Sequence, residues 1–305
     1  MLTVSNYHYI RENFDTKYPS IFGVTPDVFK NQLLILKNKA DFITASDLIS
    51  NTDEILSSKE NYHFVTFDDG LKEQYQLAVP ILEELQIPAV LFANSINSKD
   101  KKVSTVHKIH LLRSILSPSD FIGKISQFST LSFTDEYKQM AKTIYIYDSE
   151  ESAVLKYMLN FKMDFMLQEE IIKTIFNVYF NENEVLKSLY LSENEIIDLS
   201  KKGFLGSHTH SHYPIGLLED ADMEYELLTS KLFFENLTNT KIEMVAYPFG
   251  SPEACTNQVA EIAKNVGYKF GFTTTRGINT AANNHLLLNR FDCNDLPGGK
   301  NYNAI

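Results

Sequence analysis

The sequence is poor in cysteine and in positive charge, and it contains no long apolar run. Two cysteines among 305 residues form no spacing pattern, which argues against a disulfide framework and favours free thiols. The 28 basic residues are outnumbered by 39 acidic ones, and a net charge of −11 argues against nucleic acid or an anionic membrane as the main partner. No apolar run reaches the roughly 18 residues of a membrane span, and no cationic start precedes an apolar core. We therefore predict a soluble, cytoplasmic protein without a secretory signal.

What the sequence does contain is a large apolar fraction, arranged in alternating strand and helix patterns. Hydrophobic residues make up 44% of the chain and aromatic residues 12%, which is ample for a packed core. Short apolar runs at 63–67 and 88–93 predict buried strands, and further strands are predicted at 2–10 and, as the last one, at 286–291. Helical patterns separate such runs along much of the chain. This alternation predicts an α/β fold with a parallel sheet or barrel.

The alternation is interrupted between residues 97 and 191. This stretch is rich in Lys, Glu, Ile, Leu, Phe and Tyr, has helical apolar spacing and contains few turn residues. We therefore predict a single domain over residues 1–305, with a helical insertion at 97–191 that would form a wall, a lid or an interface.

Two adjacent carboxylates follow one of the predicted strands. The apolar run at 63–67 ends in Asp68, Asp69 and Gly70. In α/β and barrel enzymes the carboxyl ends of strands are where catalytic groups usually lie. Two negative charges this close need a cation to neutralise one of them. Asp and Gly are also common in turns and helix caps, so this motif alone leaves a purely structural role open.

Three histidines lie close together after another predicted strand. His208 and His212 are four positions apart, so a helical turn would place both on one side and direct His210 elsewhere. Two imidazoles and one carboxylate form a zinc site with a position left for water, and Asp69 could supply the carboxylate. A polar loop with three unrelated histidines is the alternative, but the paired aspartates favour the metal site.

These motifs resemble those of the polysaccharide deacetylases, which are the NodB-homology domains of carbohydrate esterase family 4. The segments that carry the resemblance are Thr66-Phe67-Asp68-Asp69-Gly70, His208-Thr209-His210-Ser211-His212 and, as a third motif, Val245-Ala246-Tyr247-Pro248-Phe249-Gly250. The resemblance covers most of the chain outside the insertion. It implies a NodB-like fold, which is an irregular (β/α) barrel of about seven strands.

The resemblance also implies roles for the matching residues. Asp69, His208 and His212 would bind a divalent metal, most often Zn²⁺, and Asp68 would act as the general base. The backbone N–H of Phe249 would hold the oxyanion of the reaction. Aromatic rings near this site could also offer apolar faces to a sugar, and the residues expected to do so are Tyr7, Tyr247 and Phe249.

Two departures from the family pattern affect the expected site. Ala246 stands where the third motif usually has an arginine that orients the base, and the usual late histidine that acts as general acid is not evident. Circularly permuted relatives, which include deacetylases of poly-N-acetylglucosamine, carry a Tyr-His element near the N-terminus. His8 matches this element, and we expect it to be the acid, with a buried strand histidine as the alternative. Arg290 is expected to replace the missing arginine beside Asp68, with a surface ion pair as the alternative.

The sequence therefore predicts a metal-dependent hydrolase that removes an acetyl group from an N-acetylated sugar in a saccharide or polysaccharide intermediate. One alternative is a related C–N hydrolase that acts on a non-sugar amide, because the same centre serves both reactions. Another is a degenerate carbohydrate-binding protein that has kept the metal site. The sequence identifies neither the sugar nor the oligomeric state.

Overall fold

The computed structural model describes residues 1–15, 23–128, 134–144 and 148–302. These residues fall into two units. The first contains the described residues within 1–14, 22–102 and 186–305, and the second contains those within 15–21 and 103–185. The predicted insertion, 97–191, covers the main segment of the second unit. That the chain forms one domain with an insertion stays a prediction.

Short parallel strands form the framework of the first unit. The described strands are β1 (Leu2–Tyr7), β2 (Tyr9–Ile10), β3 (Gly23–Val24), β4 (Asp41–Phe42), β5 (Tyr62–Phe67), β6 (Ala89–Ala93), β7 (Leu205–Ser207), β8 (Met244–Ala246), β9 (Phe270–Phe272) and β10 (Phe291–Asp292). The main sheet has the order β10-β1-β5-β6-β7-β8-β9, with β4 paired to β5, and β2 pairs with β3 separately. Every one of these pairs is parallel. The curled path of seven parallel strands confirms the predicted irregular (β/α) barrel.

Helices connect the strands and make up the regular structure of the second unit within its described residues. The α-helices are α1 (Pro26–Lys37), α2 (Ala45–Ser50), α3 (Thr52–Ser57), α4 (Val79–Leu85), α5 (Ser95–Lys99), α6 (Thr105–Ile115), α7 (Pro118–Ile125), α8 (Asp135–Ile144), α9 (Glu150–Tyr157), α10 (Phe165–Tyr179), α11 (Glu182–Leu189), α12 (Glu193–Lys201), α13 (Asp220–Thr238) and α14 (Asn257–Val266). Two π-helical turns, Gln74–Ala78 and Met158–Lys162, and two 3₁₀ turns, Ile215–Leu217 and Cys293–Asp295, complete the set. No helix in the described part of the chain combines the length and apolar character needed to cross a bilayer.

Local sequence signals account for several helix ends. Thr25 caps α1 through the N–H of Val28, and a proline occupies the first position of that helix. Ser192 and Glu195 form the capping box that begins α12. Gly267 ends α14 with a positive φ of 99°, a conformation that glycine adopts without steric cost. These boundaries are set by residues that are neighbours in the chain.

The residues of β5 alternate between two apolar clusters. Phe64 packs with Phe92 and Phe272 in a cluster between the strands and helices α2 and α3. The neighbouring residues of β5 pack instead against the helices on the other face of the sheet. Because successive side chains of a strand point to opposite faces, Thr66 and then Asp68 continue the row that Phe64 begins. At the end of the strand, Asp68 is therefore directed to the same side of the sheet as the cluster that contains Phe64.

Two predicted strands have different limits in the structure. The predicted strand at 2–10 divides at His8. The chain leaves the main sheet after β1 and continues as β2, which pairs with β3. The predicted last strand, 286–291, is observed only as β10. Its first part lies along β9 instead, because Leu288 N–H donates to the carbonyl of Gly271 and Arg290 N–H to that of Thr275.

Candidate metal centre

The strand register brings the two sequence motifs to the same edge of the main sheet. Phe67 of β5 pairs with Leu91 of β6, and Ser207 of β7 pairs with Ala93 of β6. Ser207 is therefore level with the second residue after β5, which is Asp69. Residues that follow β5 and β7 thus meet above the end of β6, although they are about 140 positions apart in the sequence.

The three expected metal ligands lie together in a buried cluster. Asp69 Oδ1 is 3.5 Å from Nε2 of His208 and 3.2 Å from Nε2 of His212. One ligand atom from each residue lies within 4.8 Å of the other two, and the imidazole rings are 5.0 Å apart. All three side chains are mostly removed from solvent. The structure thus gathers the residues that the motifs predict.

The spacing and chemistry of this cluster fit a divalent metal. Zinc bonds to imidazole nitrogen and carboxylate oxygen are about 2.0–2.2 Å long, so tetrahedral ligands lie about 3.4 Å apart. The two separations from Asp69 fall on either side of that value. Nδ1 of His208 donates to the carbonyl of Ala246 at 2.8 Å, which leaves the Nε2 lone pair directed at Asp69. A hydrogen bond of this kind commonly fixes the tautomer of a metal-binding histidine.

The loop that carries the histidines is not the helical turn that their spacing predicts. Thr209 and His212 have positive φ values of 64° and 63°. Left-handed conformations cost non-glycine residues energy and persist only where surrounding contacts hold them. Here Glu226 of α13 supplies the contacts, because its Oε2 accepts hydrogen bonds from the N–H groups of His210 at 3.0 Å and Ser211 at 2.6 Å. The two ligands therefore face each other through a strained loop held by a buried carboxylate.

His210 points away from the cluster, as the sequence predicts. Its Nδ1 lies 2.7 Å from the hydroxyl of Ser95, and its Nε2 lies 3.2 Å from Oδ2 of Asp100. Burial lowers the pKa of this imidazole, and the neighbouring carboxylates of Glu226 and Asp100 act against that shift. These contacts attach the loop that carries the histidines to Ser95 in α5 and to Asp100, which directly follows α5.

The turn after β5 also has left-handed backbone at two successive residues. Asp69 has a φ of 78° and Gly70 a φ of 60°. A Cβ on Gly70 would lie 2.8 Å from Cβ of Ala93 at the end of β6. Glycine is needed here both for its conformation and for the close approach of the two strand ends. The turn directs Asp69 toward the histidines, while Asp68 stays in the line of β5.

Asp68 is held in a separate network beside the metal cluster. The Arg290 guanidinium donates to both of its oxygens, at 2.8 and 2.7 Å, and the Asn6 amide donates to Oδ2 at 3.1 Å. Burial acts to raise the pKa of Asp68, but the Arg290 charge, helped by His208, by the Arg290 hydrogen bonds and by His8, outweighs it, so the pKa lies below its ordinary value. Arg290 is 1% exposed, which rules out the surface ion pair considered above.

His8 lies on the open side of this network. Its Nε2 is 3.8 Å from Oδ2 of Asp68, and its side chain is 36% exposed. It belongs to neither β1 nor β2, so it is not the buried strand histidine considered as an alternative. Asp68, Arg290 and His8 are therefore neighbours in the structure, although they come from three distant segments.

The three aromatic residues expected to contact a sugar have different surroundings. Phe249 follows β8 with a φ of 62°, is 47% exposed and has its ring 5.5 Å from that of His212. Tyr7 is fully buried between Phe29 and Phe67, and Tyr247 is also fully buried in the core. A ring enclosed by protein offers no face to a substrate. We therefore correct the expectation for Tyr7 and Tyr247 and keep only Phe249 beside the site.

Several polar residues at this edge are absent from the sequence-based interpretation. Asn6 holds Asp68, Glu226 holds the histidine loop, and the Asn94 amide donates to the carbonyl of His208. Asn6 carries only the signal of its position two residues before His8, because Thr3 and Ser5 are also polar residues of that strand. Glu226 carries none, since an acidic residue in a helix is most often exposed.

A separate cavity of about 560 Å³ lies elsewhere in the first unit. Its lining includes Tyr268, Phe270 and His285, and none of the residues of the metal cluster or of the Asp68 network belongs to it. Phe270 begins β9, so the cavity lies toward the amino end of that strand. The concentration of buried ligands and charge thus occurs at the other edge of the sheet, outside this cavity.

Comparisons with known proteins agree with the sequence motifs. The sequence profile of the family described as Polysaccharide deacetylase matches residues 163–271, a segment that includes His208, His212 and Phe249. No curated protein sequence shows significant similarity to the chain. This match confirms the resemblance to the polysaccharide deacetylases.

Solved structures of deacetylases share the fold. The Streptococcus pyogenes deacetylase PplD in complex with acetate is 18% identical, with a TM-score of 0.61 over 97% of this chain and 93% of that one. IcaB from Ammonifex degensii is 17% identical, with a TM-score of 0.55 over 95% and 90%. A de-N-acetylase from Aggregatibacter actinomycetemcomitans is 12% identical, with a TM-score of 0.57 over 96% and 95%. At sequence identities this low, the structural similarity shows a common fold and no more.

Proposed function

We propose that this protein is a metal-dependent hydrolase that removes the acetyl group from an N-acetylated sugar in a saccharide or polysaccharide intermediate. The observation that carries the proposal is the cluster of Asp69, His208 and His212, with the Asp68 carboxylate held immediately beside it. One acidic pair thus supplies both a ligand and a base. The similarity to named deacetylases supports the same reaction class.

Asp69, His208 and His212 would hold the metal, which we expect to be Zn²⁺. A divalent ion in such a site acts as a Lewis acid and makes water a stronger nucleophile at neutral pH. The imidazole and carboxylate donors suit zinc, and the buried site limits competition by bulk water. His208 is pre-oriented for this role by its hydrogen bond to Ala246.

Asp68 would be the general base. In the proposed reaction water attacks the carbonyl carbon of the acetamido group, and Asp68 accepts the proton that the water loses. Arg290 and Asn6 hold the carboxylate in one orientation and keep it ionised. The base therefore needs no rearrangement before it takes the proton.

His8 and Phe249 would complete the reaction. The backbone N–H of Phe249 would donate to the oxygen that becomes negative when water adds. His8, as an imidazolium, would donate a proton to the sugar nitrogen as the C–N bond breaks. The products are acetate and a free amino sugar. PplD was solved with acetate bound, and acetate is the product that this reaction would release.

The exposed ring of Phe249 is a suitable surface for the sugar. Aromatic rings present an apolar face to the C–H groups of a pyranose, and this ring lies beside the ligand His212. The exposed side of His8 lies near the same carboxylate network. We therefore place the acetamido group between His8 and the histidine loop. The cytoplasmic location expected from the sequence stays a prediction.

The decisive experiment combines metal analysis with acetate release. The purified protein should contain about one equivalent of zinc and should release acetate from N-acetylated oligosaccharides faster than from small non-sugar amides. Asp68→Asn should keep the metal and lose activity, while Asp53→Asn, at an exposed position of α3, should keep both. Preference for small amides would support the alternative C–N hydrolase. Metal and sugar binding without acetate release would support a degenerate binding protein and reject the proposal.

A further inference from the structure

The segment that carries His8 is attached to the turn that follows the two aspartates. Gln74, in the π-helical turn after Gly70, is fully buried. Its side-chain amide donates to the carbonyl of His8 at 2.8 Å and to the carbonyl of Asp68 at 2.6 Å. Its amide oxygen accepts from the N–H of Leu71 at 3.2 Å. One side chain thus joins the backbone at His8 to the backbone at Asp68.

The preceding residue holds the same segment from its other end. Glu73 accepts from the N–H of Ile10 at 3.1 Å and from Nε of Arg11 at 2.6 Å. The Arg11 guanidinium also lies over the ring of Tyr9, 4.5 Å from its centroid. Glu73 and Gln74 together therefore fix the chain on both sides of Tyr9, directly after it leaves β1.

We propose that Gln74 is a positioning residue that sets the distance between His8 and Asp68. This inference rests on the proposed function, in which these two residues are acid and base. The β1–β5 ladder ends at Tyr7, whose carbonyl accepts from the N–H of Asp68, and His8 itself lies outside the main sheet. The position of His8 beyond that point therefore also depends on contacts other than the ladder. The shared amide provides such a contact, because both carbonyls are bound to one nitrogen. Movement of His8 away from Asp68 would break one of these two hydrogen bonds.

The proposal can be separated from a simple packing role by the choice of leaving group. An amide releases a basic amine and needs a proton from the acid as the C–N bond breaks. An activated aryl acetate ester releases a phenolate, which leaves without a proton. Loss of the His8 position should therefore slow amide hydrolysis much more than ester hydrolysis. General damage to the fold or to the metal centre should slow both reactions equally.

The experiment compares Gln74→Leu, His8→Ala and the double variant on both substrates. Gln74→Leu removes all three hydrogen bonds of the side chain, including both that join His8 to Asp68, and keeps a buried side chain of similar size. We expect it to lower kcat/KM for an N-acetylated oligosaccharide about 10- to 100-fold and to change ester hydrolysis less than about threefold. On the His8→Ala background the same substitution should cause little further loss.

A matched control is available in the second unit. Gln168 is also buried, and its amide donates to the carbonyl of Leu159 at 2.5 Å. Gln168→Leu therefore removes a buried amide of the same kind without touching the His8 segment. It should leave the ratio of amide to ester hydrolysis unchanged. Metal content should be the same in all variants, because no metal ligand is altered.

Two kinetic results would overturn the proposal. One is an equal loss on both substrates in Gln74→Leu, and the other is a loss that adds fully to that of His8→Ala. A crystal structure of Gln74→Leu gives a readout independent of activity, since the separation of 3.8 Å between His8 Nε2 and Asp68 Oδ2 should increase. An unchanged separation would also reject it. Absence of acetate release by the unaltered protein would reject the proposed function instead.

Discussion

Arg290 binds Asp68 through both terminal nitrogens of its guanidinium, Nη1 and Nη2, and the two residues are separated by 222 positions in the sequence. Oxygen–nitrogen distances of 2.8 and 2.7 Å and the burial of both side chains make this a strong, fully desolvated pair. The third motif, where the family pattern places an arginine, has Ala246 instead. Arg290 thus brings a guanidinium to the expected base from the segment that precedes β10.

Arg290→Lys should impair the reaction while sparing the metal. A lysine ammonium is a point charge that cannot form two parallel hydrogen bonds to one carboxylate. We expect kcat/KM to fall about 10- to 100-fold, with unchanged zinc content by elemental analysis. Arg276→Lys is the matched control. Arg276 is partly exposed, and its Nη1 lies 3.7 Å from Oδ1 of Asp295, so it forms a single, solvent-exposed ion pair instead of two short hydrogen bonds. Equal activity of Arg290→Lys and the unaltered protein would contradict the role given to this pair.

Removal of the expected ligands should abolish metal binding. His208→Ala and His212→Ala should each weaken zinc affinity by at least about 100-fold, whereas His210→Ala should retain zinc because that ring faces Ser95 and Asp100. Titration with zinc followed by elemental analysis measures the affinity. The opposite pattern, with loss in His210→Ala and retention in His208→Ala, would show that the ligand assignment is wrong.

The stability of the protein should also depend on the metal. A ligand at 100 times its dissociation constant stabilises the folded state by about 2.7 kcal/mol. Chelation should therefore lower the free energy of unfolding of the unaltered protein by about that amount, as measured by denaturant titration. The same treatment should have little effect on His208→Ala. A chelator effect of equal size in both proteins would place the ion elsewhere.

Phe249→Ala should act mainly on substrate binding. The substitution removes the exposed ring but keeps the backbone N–H that we expect at the oxyanion. We predict that KM for an N-acetylated oligosaccharide rises about 3- to 10-fold, while kcat changes little. Phe128→Ala, which removes another exposed ring, is the control and should change neither constant. A large fall in kcat without a rise in KM would show that the ring takes part in the chemical step.

His63 should make the folded state less stable as the pH falls. Burial lowers the pKa of this histidine from 6.5 to about 3, and its Nε2 lies 3.1 Å from the hydroxyl of Ser5. Between these two pKa values the unfolded chain binds a proton that the folded protein does not, so stability is lost as pH falls below 6.5. Above pH 6.5 neither state binds this proton, and the contribution is constant.

The effect of His63 can be isolated with a side chain that does not titrate. From pH 7.5 to 5.5 the unaltered protein should lose about 1.4 kcal/mol more unfolding free energy than His63→Gln. Denaturant titrations at the two pH values measure the change in unfolding free energy with pH for each protein, and the other histidines contribute equally to both. An identical change in the two proteins would mean that His63 becomes protonated in the folded state.

Local sequence patterns predicted much of the framework of this protein. The predicted alternation of strands and helices depends on residues that are close in the chain, and so do the observed helix caps at Thr25 and Ser192. The motifs around Asp69 and His208 likewise predicted a cluster that the structure brings together. Their metal-binding role remains a prediction. In each case the information lies in short spacings, which a single sequence displays directly.

The sequence by itself determined which residue types stand at the strand ends, and therefore what chemistry is available there. Only the tertiary structure decided that Tyr7 and Tyr247 are enclosed in the core, that Arg290 reaches Asp68, and that Gln74 joins Asp68 to His8. The physical reason is that burial and long-range pairing depend on strand order and register. Those features arise from the packing of the whole sheet, and no short stretch of residues specifies them.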